Sequence, residues 1–241
     1  DEYEFDGDEQ IIVLKDSGVI FYEDFRDGYD SSKWITISTL ESSQGEEGSI
    51  IVDSQHGLIL KISRPGTSGT EKYGLRLKDP LSIPSGRFIV EVATGKMNGT
   101  QPYNYLVEVY FSQYATTGNP HFLSQFVAVY INGWYPPSSI LSTAIMENRD
   151  KDGVEWDYEI EDYQTYGRWL LRFLRNEDRI YVYYNGTYQN YLTNFDNEMY
   201  TNPYIYLDIG LWSGQSGTFC VYIPYIKVYR SLDITIKGLR S

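Results

Sequence analysis

Short runs in which apolar and polar residues alternate, separated by Asn-Gly, Asp-Gly and Ser-Gly pairs, recur along most of this chain. Residues 87–92 alternate cleanly. Residues 57–62, 103–110, 123–131, 154–160, 169–174, 180–184, 204–211 and 219–229 have the length and the β-branched and aromatic content of strands. Turn pairs stand at Asn98-Gly99, Asn132-Gly133, Asp152-Gly153, Asn185-Gly186 and Ser213-Gly214. No stretch of ten residues keeps a 3.6-residue apolar period, so no crossover helices are expected and no parallel sheet. The pattern predicts an all-β fold, an antiparallel β-sandwich of jelly-roll type.

Composition narrows the setting. Hydrophobic residues make up 41% of the 241, enough for a core, yet no apolar run approaches the roughly 18–20 residues that span a bilayer. The formal charge of −13 argues against nucleic acid and anionic membranes, which call for a basic face. It suits calcium or a neutral polysaccharide, and it also serves solubility alone. The single cysteine, Cys220, rules out an intrachain disulfide. Tyrosine is abundant, at 24 residues, and reads either as sheet packing or as an adhesive face for sugars or other subunits. The start at Asp1 and the Asn-x-Thr sequons at Asn98 and Asn185 are compatible with a secreted or cell-surface glycoprotein.

Three segments are expected. Residues 1–18 form an acidic arm with a short apolar run at 10–15. Residues 19–230 form the sandwich. Residues 231–241 add an extension that includes a further strand-like run at 233–237.

The order of motifs resembles the concanavalin A-like lectin/glucanase superfamily, and most of all the laminarinase-like glycoside hydrolases of family 16. Phe21-Tyr22-Glu23-Asp24-Phe25, followed by Lys33-Trp34, is similar to that family's opening. Tyr73-Gly74-Leu75-Arg76-Leu77, Gly86-Arg87-Phe88, Gly167-Arg168-Trp169 and the run 178–186 follow its later strands. Ile223-Pro224-Tyr225-Ile226-Lys227 is similar to its closing strand. The resemblance implies a jelly roll, and a function among enzymes, lectins and structural domains.

Glu155-Trp156-Asp157-Tyr158-Glu159 matches the Glu-x-Asp-x-Glu of the family's catalytic strand. That resemblance implies Glu155 as nucleophile, Glu159 as general acid/base and Asp157 tuning both. A retaining glycosidase holds its two carboxyls about 5–5.5 Å apart. On a flat strand Glu155 and Glu159 lie about 13 Å apart, so a concave sheet is required. A half-buried strand with acids to water and Trp156, Tyr158 and Ile160 to the core gives the same alternation. The family's catalytic place, counted from residues 86–92, falls instead on residues 123–130, which carry no carboxylate. The favoured reading is therefore a non-catalytic extracellular sandwich that binds glycan or assembles with its own copies. A retaining endo-β-glucanase is the alternative.

For glycan, Trp134, Tyr135 and Trp212 are the expected stacking residues; each also reads as a loop anchor. For assembly, the terminal runs 10–15 and 233–237 are expected to add strands to a neighbour's sheet edge. Calcium, which takes several oxygen ligands, has candidate acidic segments at 1–8, 148–152 and 195–198, for each of which a solvated loop is the favoured reading. Pro224 stands where the family places a calcium-binding Asp. His56 and His121 give no transition-metal signature.

Overall fold

Every predicted run needs a partner, because a lone strand leaves its backbone N–H and C=O groups unpaired. A computed structural model supplies those partners. It describes residues 2–6, 9–13, 18–66, 69–83, 88–96, 105–120, 123, 126–133, 142–150, 153–160, 168–174, 179–184, 187–193, 202–211, 214–230 and 235–237. Its strands are β1 (Glu2–Asp6), β2 (Glu9–Val13), β3 (Val19–Asp24), β4 (Trp34–Ser38), β5 (Glu47–Asp53), β6 (Gly57–Arg64), β7 (Glu71–Leu77), β8 (Phe88–Ala93), β9 (Gly95–Lys96) and β10 (Tyr105–Ser112). They continue with β11 (Phe126–Gly133), β12 (Ser142–Asp150), β13 (Gly153–Ile160), β14 (Arg168–Leu174), β15 (Arg179–Tyr184), β16 (Thr187–Thr193), β17 (Tyr204–Leu211), β18 (Gly217–Ile223), β19 (Tyr225–Arg230) and β20 (Thr235–Lys237).

Four sheets result. One has seven strands in the order β13-β12-β11-β10-β17-β7-β4, one has six in the order β16-β15-β14-β8-β19-β3, and one has four in the order β5-β6-β18-β9. The terminal segments make a fourth, β1-β2-β20. All described pairings are antiparallel, as the absence of crossover helices predicts.

Alternation along the strands builds the core. Val109 and Phe111 of β10, Ile205, Leu207, Ile209 and Leu211 of β17, and Leu75 and Leu77 of β7 line one wall. Val90, Val92, Ile226 and Val228 from the six-stranded sheet join the same cluster, as do Leu58, Leu60, Ile62, Phe219, Val221 and Ile223 from the four-stranded one. Trp34 packs edge-on against Phe21 at 5.9 Å between ring centroids and tilted against Phe25 at 5.7 Å.

Three expectations change. The run 219–229 is two strands, not one. Pro224 has no N–H to give a ladder, and it stands between β18 in the four-stranded sheet and β19 in the six-stranded sheet. Its carbonyl accepts the Phe25 N–H at 2.9 Å. Asn132-Gly133 is not a turn. Both residues are paired on two sides, to Leu106 and Tyr105 of β10 and to Thr143 and Ser142 of β12, so β11 runs on through them. Residues 148–150 are not a loop but the end of β12, paired with β13. Strands β15 and β16 pair with Tyr184 opposite Thr187; the Asn185-Gly186 pair between them lies outside the described residues.

Candidate functional site

The face of the seven-stranded sheet turned away from the core holds a cluster of buried charged side chains. Because Val109 and Phe111 face inward, Glu108, Tyr110 and Ser112 of β10 take the other face, together with Tyr206 and Asp208 of β17 and Lys72 and Arg76 of β7. These side chains are buried: Lys72 and Glu108 are each 2% exposed, Asp208 1%, and Tyr110 and Tyr206 0%.

Register brings the charges together. Glu108 stands opposite Asp208, and Asp208 opposite Gly74. A Cβ at Gly74 would meet the Leu207 carbonyl at 2.2 Å and the Asp208 Cβ at 2.6 Å, so only glycine leaves room there. Lys72 stands opposite Gly210, and its stem crosses the middle strand at a position with no side chain. Its Nζ is in direct contact with Oε2 of Glu108 and lies 4.0 Å from Oδ1 of Asp208. The Tyr110 hydroxyl donates to Oε1 of Glu108 at 2.8 Å, and its ring lies 5.9 Å from the Lys72 Nζ. Neither carboxylate oxygen of Asp208 has a hydrogen-bond partner. Burial pushes its carboxyl up to about 7, against the opposing pull of Lys72.

A loop closes the neighbouring part of this face. The Tyr206 hydroxyl donates to the Tyr114 carbonyl at 2.7 Å and accepts the Thr116 N–H at 3.0 Å. Arg76 Nε donates to the Thr116 carbonyl at 2.8 Å, and the Ser38 N–H to the Thr117 carbonyl at 3.0 Å. Burial likewise raises the Tyr206 phenol, to about 12. The middle of this face is thus buried.

The expected catalytic acids lie elsewhere. Glu155, Asp157 and Glu159 are on β13, the edge strand of this sheet, four strand spacings or about 19 Å from β17. The pairing row of Asp157 runs through Met146, Val129, Val109 and Leu207; that of Glu155 runs through Asn148, Val127, Phe111 and Ile205. Both rows contain core members. The row of Trp156 runs through Glu147, Ala128, Tyr110, Tyr206 and Arg76; the side chains of β13 lie outside the described ones. The register also shifts where Met146 pairs with Asp157 but Ala144 with Ile160, which interrupts the even alternation expected between Asp157 and Glu159.

Trp134, Tyr135, Trp212, Asn98 and Asn185 lie outside the described residues, as do residues 1, 7 and 8, 151–152 and 195–198 of the acidic segments. The strand ends that lead into the aromatics do not. Gly133 ends β11 and Leu211 ends β17, and both stand opposite Tyr105, the first residue of β10. Two strand spacings, about 10 Å, separate them. Among the described residues no group of three or more His, Cys, Asp or Glu is placed to hold a metal ion, and no helix is long and apolar enough to cross a membrane. The terminal runs pair with each other, Gln10 opposite Ile236 and Ile11 opposite Thr235.

No family model and no curated protein matches the sequence. Solved structures do match in shape. A glycoside hydrolase family 16 endo-glucanase from Bacteroides ovatus aligns with a TM-score of 0.58 and 12% identity, over 86% of this chain and 99% of its own. The legume lectin-like domain from Entamoeba histolytica aligns with a TM-score of 0.52 and 14% identity, over 83% and 91%. The carbohydrate recognition domain of Emp46p gives 0.55 and 11%, over 89% and 97%. The fold is the concanavalin A-like jelly roll. Lectin-like domains and glucanases both stand among its structural neighbours. The Lys72–Glu108–Asp208 cluster escaped the sequence reading, although a lone Asp within the apolar run of β17 and a lone Glu within that of β10 were its local signals.

Proposed function

We propose that this concanavalin A-like domain is a non-catalytic, extracellular glycan-binding module whose site lies at the end of the seven-stranded sheet where β11 and β17 terminate. The observation that carries this reading is the shared row of Gly133, Tyr105 and Leu211. It sets the ends of β11 and β17 about 10 Å apart on one sheet end, and a site there with Trp134 and Trp212 as aromatic platforms would span more than one sugar ring. The likeness to a carbohydrate recognition domain supports the same class of ligand.

The test is binding to laminarin, lichenan and agarose by calorimetry, with reducing ends assayed in parallel. Saturable binding without turnover is expected. Each of Trp134→Ala and Trp212→Ala is expected to weaken it about fivefold, the worth of one stacked ring. Turnover abolished by Glu155→Gln would replace this reading with the retaining glucanase.

Self-assembly is the second reading. It is favoured by open edge strands that expose apolar side chains: Val19 and Tyr22 on β3, Ile51 and Val52 on β5. Light scattering that finds only monomer at high concentration, with or without calcium, removes it.

A further inference from the structure

The buried cluster holds reactants as well as charges. An amine and a carboxyl in direct contact, with a second carboxyl 4.0 Å from the amine, sit where almost no surface reaches solvent. In water such a pair stays ionised and inert. In a dry site the ions lose their hydration, and passage of the proton from ammonium to carboxylate leaves a neutral amine beside a neutral acid.

We propose that Lys72 and Glu108 are joined by an intramolecular isopeptide bond, formed within the folded chain with Asp208 as the proton shuttle. The Nζ lone pair attacks Cδ of Glu108. The Tyr110 hydroxyl, already bonded to Oε1, supports the negative charge that develops on that oxygen. Oε1 becomes the amide carbonyl. Asp208 gives a proton to the departing Oε2 and takes one from Nζ. One N–C bond forms, one C–O bond breaks and one water molecule leaves. No oxidant, reductant or other reagent is needed, and the net charge is unchanged.

Asp208 fits its part. Its oxygens are bound to no other group, and burial keeps a proton available on it near neutral pH. Gly210 and Gly74 fit theirs, one clearing the path of the lysine stem and the other making room for Asp208. The bond would tie β7 to β10 across β17, joining residues 36 apart in a chain that has no cysteine pair to do so.

The decisive measurement is the intact mass of the full chain, produced without glycosylation and analysed under denaturing conditions. The expected mass is that of the sequence less one water. Trypsin is expected not to cut after Lys72, and fragmentation to find the Lys72 peptide joined to the Glu108 peptide. A mass equal to that of the sequence overturns the proposal, and a link from Lys72 to Asp208 overturns the assignment of Glu108. Lys72→Arg keeps the positive charge and is expected to show its full sequence mass; loss of water from that variant would trace the dehydration elsewhere. Asp208→Asn is expected to form the link about a hundredfold more slowly, leaving most freshly made protein unlinked. Complete linkage in that variant overturns the role of Asp208.

Discussion

At Asp208 burial works against ionisation. The carboxyl titrates near 3.8 in a free chain and near 7 in the fold. Between those values the folded state holds the extra proton, so folding stability falls as pH rises through that window and levels off above it. Asp208→Asn removes the titration; its slower linkage shifts the stability gap by an amount independent of pH, so the change of the gap with pH is what reports the titration. Comparing urea midpoints, the variant is expected to gain on the wild type between about pH 4 and about pH 8. A constant gap would mean that Asp208 does not titrate in the fold. Gly74 is the companion constraint, because any side chain there meets the Asp208 backbone and the Leu207 carbonyl.

Among elements, the loop between β10 and β11 shows how an irregular segment is held. Its hydrogen bonds reach Tyr206, Arg76 and Ser38, on three different strands. Tyr206→Phe deletes two of these bonds without changing the ring, and is expected to cost about 1–3 kcal/mol in chemical unfolding. The Thr116 amide should then exchange faster with solvent; unchanged exchange would show that the loop is held without Tyr206. Such contacts are not legible in a polar stretch of sequence. Strand β17, by contrast, was readable to the residue, because Pro203 stands just before it and the Ser213-Gly214 turn pair soon after it. Strand β12 was not. Ala144, Ile145 and Met146 stand together and four polar residues follow, so no period of two survives, and its neighbours β11 and β13 impose the strand. The Lys72 cluster was hidden for a similar reason, since only pairing through β17 brings β7 and β10 within reach.

For the molecule as a whole, one hydrophobic cluster draws on the seven-, six- and four-stranded sheets alike. No large sheet can leave without exposing the others. Thermal unfolding is therefore expected as one transition, with backbone and aromatic circular dichroism changing together. Separate midpoints would show that the sheets are independent units. Pro224 adds to this unity. Strands β18 and β19 differ by a single intervening residue yet belong to different sheets, where β18 faces β6 and β19 faces β8 and β3. A one-residue slip of either strand would invert every side chain on it. With so little slack between them, such a slip in one sheet would drag the other out of step as well. The fold thereby proofreads itself: a misthreaded strand is penalised twice, and the correct threading is reinforced from both sides of a single proline.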